Sequence, residues 1–162
     1  MIEIKTIDLE RAHRVSDQLR RVGSADYRTS VDAIVAGVEG YSARGALITA
    51  IFSGLDALIL NRDMQIPLVR KGFEELGNMV AEIQPRDLIM AQRVGVQLNQ
   101  GGSADFRESS AKIIAGEEGY TAKGALLAAV FTGLDTLGVD SGKQIVLTQK
   151  GLKELGLTVS SE

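Results

Sequence analysis

Two copies of one short segment hold the residues best suited to bind a ligand. Residues 23–28 read GSADYR, and residues 102–107 read GSADFR. A serine after a glycine is typical of a helix N-terminus, where backbone N–H groups and the helix dipole attract an anion. An arginine one turn later could bind the same anion, so each segment predicts a small-ligand or anion site. The candidate residues are Ser24, Asp26, Arg28, Ser103, Asp105 and Arg107.

The same residues have a simpler interpretation, because they could serve only to cap and brace the helix that they open. Asp26 would lie in the first helical turn, where the helix dipole stabilises a carboxylate, and Arg28 could pair with it. Neither a Walker P-loop nor a GxGxxG turn accompanies the segments, so no nucleotide site is indicated. The sequence favours this structural role and keeps the ligand site as the alternative.

Asp56 and Asp135 are a second pair of ionisable residues, each placed directly after a long apolar run, 45–55 and 124–134. If the two apolar helices cross, these carboxylates could approach one another and form a paired site with a raised pKa. Aspartates near helix ends more commonly face water, and we favour that interpretation for both.

Histidine and cysteine give little support for catalysis or metal binding. The chain has no cysteine and one histidine, His13. The sequence shows no carboxylate pair with metal-ligand spacing around His13, so we expect it to be a surface residue of a helix. We predict no metal and no cofactor, and the residue types favour a protein that is not an enzyme.

These residues occur in pairs because the chain is one 79-residue unit written twice. Residues 1–79 align with residues 80–158 without a gap and with 39 identical positions, and we call residues related by this alignment counterparts. A duplicated unit of this kind often descends from a homodimer. We predict a mainly α fold in which helical repeats 1–79 and 80–158 pack with pseudo-two-fold symmetry around a shared core, followed by a tail at 159–162.

Helical periodicity dominates each copy. The segments 64–69 and 143–148 have extended character, and Pro67 argues against a helix interior there, so we predict a short strand or arm. Residues 2–5 alternate as a strand does, which adds short β-ribbons to the predicted fold. The predicted helices run over Asp8–Val22, Asp87–Asn99, Ala43–Leu60, Ala122–Val139, Val69–Gly77 and Thr148–Gly156, with further helices opened by Ser24 and Ser103.

Small residues recur at four-residue steps along the third helix of each copy, and they predict a close approach of two helix backbones. The simplest arrangement makes the two third helices cross, although the same rows could serve contacts between molecules. The rows are Gly45, Thr49, Ser53, Ala57 and Gly124, Ala128, Thr132, Thr136, with Ala46, Ala50, Ala125 and Ala129 beside them and glycines Gly54 and Gly133 in the same helices.

Two surfaces differ between the copies and could contact partners. The second helix of copy one carries Val31, Val35 and Val38, where copy two has Ser110, Ile114 and Glu117, so we predict an interface at these valines and at Gly45 and Gly124. The first helix of copy one also has a basic edge, which suits a solvated face, an acidic protein partner or, less well, nucleic acid. Its residues are Arg11, Arg14, Arg20 and Arg21.

Charge and hydropathy argue against a membrane-spanning protein and against a general nucleic-acid-binding protein. The net charge is −3, which gives no general attraction to nucleic acid or anionic membrane. No secretory signal or membrane span is visible, so we expect a cytoplasmic protein. We therefore predict a non-enzymatic module for protein–protein contact or self-association, acting as an adaptor, assembly or regulatory subunit. The alternative is a small-ligand or anion-binding protein that uses the Gly-Ser helix starts or the groove between the copies.

Overall fold

The computed structural model describes residues 4–79 and 81–160, and this part of the chain is helical apart from one isolated parallel bridge between Ile83 and Val159. The predicted mainly α class is confirmed. None of the helices in these two ranges is long and apolar enough to cross a bilayer. The eight helices are α1 Thr6–Val22, α2 Ala25–Ala36, α3 Ala43–Ala57, α4 Arg62–Gly77, α5 Pro85–Gly101, α6 Ala104–Ile114, α7 Ala122–Thr136 and α8 Ser141–Glu154.

The hydrophobic core is built around α3 and α7, which pack against each other more extensively than any other pair of helices. Both helices are uncharged and apolar over most of their length, so both are buried on almost every side. Helix α1 covers α3 and α5 covers α7, while α4 packs on α7 and α8 packs on α3. The outer helices α2 and α6 lie against α8 and α4.

Glycine allows the backbones of α3 and α7 to touch. A Cβ atom at Gly54 would overlap the carbonyl group of Ala129 and lie 2.9 Å from the nitrogen of Gly133. A Cβ atom at Gly133 would in turn overlap the carbonyl of Ala50 and lie 2.8 Å from the nitrogen of Gly54. The close approach predicted for these helices is confirmed at Gly54 and Gly133.

The rows of small residues that begin at Gly45 and Gly124 have a different role from the one predicted. Ser53 Oγ lies 2.9 Å from Ser16 Oγ on α1, and a Cβ atom at Gly95 on α5 would lie 2.8 Å from the nitrogen of Thr132. These rows therefore face α1 and α5 rather than the α3–α7 contact. The reason is rotational, since Gly54 is one residue beyond Ser53 and so lies about 100° further around the helix.

The predicted strands at 64–69 and 143–148 are wrong, because both segments are helical. Helix α4 begins at Arg62, where the Asn61 side chain accepts a hydrogen bond from the Asp63 nitrogen, and it continues through Pro67. Proline removes one backbone donor, but Leu68 and Val69 on this stretch are buried in the core. Burial of the apolar face outweighs the lost hydrogen bond.

The strand predicted at 2–5 finds no support where the chain is described. Ile4 and Lys5 are not in a strand, and Ile2 and Glu3 lie outside the described residues. Lys5 instead precedes the first turn of α1 as its N-cap residue. No β-ribbon is therefore present within residues 4–79 and 81–160.

Helices α3 and α7 end earlier than predicted because the chain turns left-handed after each of them. Ile59 has φ 61° and Gly138 has φ 78°. The Leu60 nitrogen donates to the Leu55 carbonyl at 3.0 Å, and the Val139 nitrogen donates to the Leu134 carbonyl at 2.9 Å. This pattern is the Schellman motif, which closes a helix and turns the chain toward the next one.

Candidate functional site

The serine and arginine of the first Gly-Ser segment bind the end of a neighbouring helix. Ser24 is the N-cap residue of α2, but its hydroxyl accepts no capping hydrogen bond from the backbone of that helix. Ser24 Oγ donates to the Leu137 carbonyl at 2.9 Å, and Arg28 Nη1 donates to the same carbonyl at 3.1 Å. Arg28 Nη1 also donates to Ser24 Oγ at 2.6 Å. Since Leu137 is the C-cap residue of α7, this cation stabilises the negative end of the α7 dipole.

The second segment makes the counterpart contacts. Ser103 Oγ donates to the Leu58 carbonyl at 2.9 Å, and Arg107 Nη1 donates to that carbonyl at 3.1 Å. Asp26 and Asp105 are exposed in the first turns of α2 and α6, and neither forms an ion pair with another described residue. The hydroxyl and guanidinium groups predicted to receive an anion are therefore already hydrogen-bonded to carbonyl groups.

The residues predicted to form an interface are not all on one surface. Val31 is buried, Val35 is half-buried, and only Val38 is largely exposed. Gly45 and Gly124 are exposed, and each lines a surface groove.

A polar cluster surrounds His13, which is half-buried and not simply a surface residue as predicted. His13 Nε2 donates to Gln65 Oε1 at 2.8 Å, because a carbonyl oxygen can only accept. Arg62 Nη2 lies 3.0 Å from His13 Nδ1 and donates to it. These contacts join α1 to α4 through His13. The ring also packs edge-on against Phe52, with 5.0 Å between ring centroids.

Two carboxylates complete the cluster. Asp56 accepts from Gln65 Nε2 at 2.8 Å, and its side chain is only 6% exposed, so the prediction that it faces water is wrong. Asp17 lies one turn after His13 on α1. The ligand atoms of His13, Asp17 and Asp56 lie within 4.8 Å of one another, a spacing that the sequence analysis missed. The i, i+4 spacing of His13 and Asp17 is the one feature of the sequence that indicates this cluster.

The cluster has the donor atoms of a metal site, but arginines already supply its positive charge. Arg62 Nη2 donates to Asp17 Oδ2 at 2.9 Å, and Arg62 Nη1 donates to Asp17 Oδ1 at 3.3 Å. These bonds lower the pKa of the Asp17 carboxyl group. Arg20 Nη1 lies 3.1 Å from Asp56 Oδ2, although that oxygen accepts no well-aligned hydrogen bond in the described part of the chain. Two carboxylates therefore face two guanidinium groups. A divalent cation would have to displace Arg62, so we assign the cluster a structural role.

The counterpart region in the second repeat carries less charge. Gln92 replaces His13 and donates to Gln144 Oε1 at 3.0 Å, while Val96 replaces Asp17. Asp135 is exposed, as predicted, and it accepts from Asn99 Nδ2 at 3.0 Å. Asp56 and Asp135 thus each have a separate partner.

An apolar groove lies between α5 and α7. It has a volume of about 340 Å³, and Met90 on its wall is 62% exposed. Asp87 and Lys123 are the two charged residues among those that line it. The other lining residues are Leu76, Met79, Ile83, Met90, Ala91, Val94, Thr121, Gly124, Leu127 and Ala128.

The first repeat has a counterpart groove of different character between α1 and α3. Its volume is about 470 Å³, and nine of its lining positions are counterparts of positions in the α5–α7 groove. Arg11 takes the place of Met90, and Thr49 takes the place of Ala128. One groove is therefore apolar and the other is partly basic.

Comparison with known protein-family models, with curated proteins and with solved structures gives no match to this chain.

Proposed function

We propose that the chain is a fused pair of helical repeats that acts as a non-enzymatic module for protein–protein contact. In this proposal residues 1–79 and 80–158 share one core with pseudo-two-fold symmetry. The module would serve as an adaptor, an assembly factor or a regulatory subunit.

Contacts exchanged between the repeats support the fused-pair proposal. The carboxylate of Glu154 accepts from the backbone nitrogens of Ala43 and Arg44 at 3.3 and 3.0 Å, at the start of α3. Its counterpart Glu75 accepts from the backbone nitrogens of Ala122 and Lys123 at 3.1 and 3.0 Å, at the start of α7. Each repeat thus supplies the anion that stabilises the positive end of a helix in the other repeat.

The apolar groove between α5 and α7 is the observation that carries the functional proposal. Met90 and Val94 expose aliphatic side chains to solvent along its wall, which costs free energy that a docked apolar segment would recover. Only two of the lining residues, Asp87 and Lys123, are charged, so the groove suits apolar contacts. A groove of this kind fits the apolar face of a partner helix.

The small-anion alternative has weaker support. The hydroxyls of Ser24 and Ser103 and the Nη1 groups of Arg28 and Arg107 donate to carbonyls at the ends of α7 and α3. An anion at either site would have to compete with these intramolecular bonds.

Site-specific photo-crosslinking tests the groove. A photo-reactive amino acid at Met90 should crosslink the chain to a discrete partner protein in cells of its own source. The matched control places the same amino acid at Ile59, which is 71% exposed but does not line the groove. An adduct between two copies of the chain would identify self-association through the groove. Equal labelling from both positions, or none from either, would contradict the proposal.

A further inference from the structure

The outward face of α1 combines positive charge with exposed aliphatic side chains. At about 100° per residue, seven α1 residues fall within roughly one third of the helix circumference. Leu9, Ala12 and Ser16 occupy the opposite side and are buried. The outward residues, which we call the α1 strip, are Ile7, Arg11, Arg14, Val15, Gln18, Arg21 and Val22.

The cations of the α1 strip have no ion-pair partner within residues 4–79 and 81–160, and no carboxylate is part of the strip. Arg11, Arg14 and Arg21 are exposed, whereas Arg20 lies on the side of α1 that faces α3 and pairs there with Asp56. Glu10 lies at the edge of the strip and forms no ion pair with them. The strip is therefore a local positive surface on a chain whose net charge is −3.

Three aliphatic residues share the strip with these arginines. Ile7 is 47% exposed, Val15 is 42% exposed and Val22 is 82% exposed. Their spacing along the axis is about 12 Å and then about 10 Å, at 1.5 Å per residue. Val15 and Arg11 also line the α1–α3 groove, so the strip continues into a concave surface.

We infer that the α1 strip binds an acidic amphipathic helix of a partner protein. A helix laid along α1 presents side chains at three- and four-residue steps, so its carboxylates can meet the three arginines while its aliphatic residues cover Ile7, Val15 and Val22. Complementary charge would guide this encounter and fix the register of the two helices.

The pattern of the strip distinguishes this partner from a membrane or a nucleic acid. A helix that enters a membrane surface needs a continuous apolar face, but the continuous apolar face of α1 is already buried against α3. Nucleic acid would use the arginines and leave the aliphatic residues exposed to water, and no aromatic residue is present on the strip for base stacking.

The test measures binding of a synthetic helical peptide to the full chain by fluorescence anisotropy. The peptide carries glutamate and leucine on one helix face, and a permuted peptide of the same composition spreads them around the helix. The expected result is binding of the first peptide that weakens about fivefold to tenfold in Arg11→Gln/Arg14→Gln. Lys150→Gln/Lys153→Gln changes the net charge equally on α8 and should leave binding unchanged. Val15→Asp should also weaken binding.

Other outcomes would overturn the inference. Equal binding of the permuted peptide would reduce the strip to a general charge attraction. Binding of short duplex DNA, or of vesicles containing phosphatidylserine, without binding of the acidic peptide would assign the strip to another class of partner. No binding of any probe at low salt would remove the site. These results are independent of the α5–α7 groove, which the crosslinking at Met90 tests separately.

Discussion

Single side chains decide the chemistry of the polar cluster around His13. Histidine with two aspartates is a typical donor set for a metal ion, yet the Arg62 guanidinium binds Asp17 and donates to His13 Nδ1. In the alignment of the two halves of the chain, Ser141 is the counterpart of Arg62 and Val96 is the counterpart of Asp17, so these charged residues occur in one half only. At the residue scale the cluster joins α1 to α4 and is electrically balanced.

The Asp17–Arg62 ion pair makes a small, pH-dependent contribution to stability. The hydrogen bonds that Asp17 accepts from Arg62 lower its folded-state pKa below the ordinary 3.8. The ion pair therefore stabilises the fold above pH 3.8, and this stabilisation is lost as the pH falls through the folded-state pKa. Asp17→Asn should lower the free energy of unfolding at neutral pH by about 0.5–1 kcal/mol, because the pair is partly exposed.

Urea unfolding at neutral and at strongly acidic pH measures this effect. The difference between wild type and Asp17→Asn should disappear at acidic pH, where Asp17 is protonated. Glu118→Gln is the control, because Glu118 is exposed and forms no ion pair in the described ranges. Its free energy of unfolding should equal that of wild type at both pH values. A stability gap that persists unchanged in acid would contradict the assignment of this ion pair.

At the scale of elements, the contact between α3 and α7 defines the fold. These helices are apolar around their whole circumference and therefore lie at the centre, with six helices packed around them. Their backbones meet at Gly54 and Gly133, where no Cβ atom can be accommodated.

Two glycines of α3 should respond oppositely to the same substitution. Gly54→Ala places a Cβ atom into the backbone of α7 and should lower the free energy of unfolding by about 2–3 kcal/mol. The Cβ atom of Gly45→Ala would meet only the Ser42 side chain, with Oγ at 3.7 Å, and the substitution should raise the free energy of unfolding by about 0.5 kcal/mol through helix propensity. Thermal and urea denaturation would measure both effects. Equal effects of the two substitutions would contradict the packing described for α3.

The sequence predicts a helix and its packing well where the pattern that indicates them lies within that one helix. The apolar runs and small residues of α3 and α7 predict central helices and their close approach. The N-terminal part of α4 is predicted wrongly because a proline inside a segment argues against a helix when only neighbouring residues are considered. Burial of its apolar residues in the core keeps this segment helical despite Pro67. The polar cluster is missed because His13, Asp56 and Arg62 come from three different helices, which no spacing along the chain reveals.

At the scale of the whole molecule, the N-terminal and C-terminal halves of the described chain pack on each other and cap each other's helices. Helix α4 packs on α7 and α8 packs on α3, while Glu75 and Glu154 bind the starts of those central helices. The buried side chains of the described residues form one hydrophobic cluster that includes residues of both halves of the chain.

Separated repeats should therefore not fold alone. Fragments 1–79 and 80–162, each produced by itself, should show little helical circular dichroism, since each loses the surfaces that bury its central helix. Mixing them should restore helix content and a cooperative unfolding transition. Cooperative unfolding of either fragment as a monomer would contradict the shared core.

Native mass spectrometry of the protein purified gently from its own source tests the central claim most directly. Wild type should carry a protein companion, or a second copy of itself, and Met90→Glu in the α5–α7 groove should lose it. Ile59→Glu, an exposed position outside the groove, should retain it. A monomer that carries only a discrete small molecule, equally in wild type and in both variants, would contradict the interaction module.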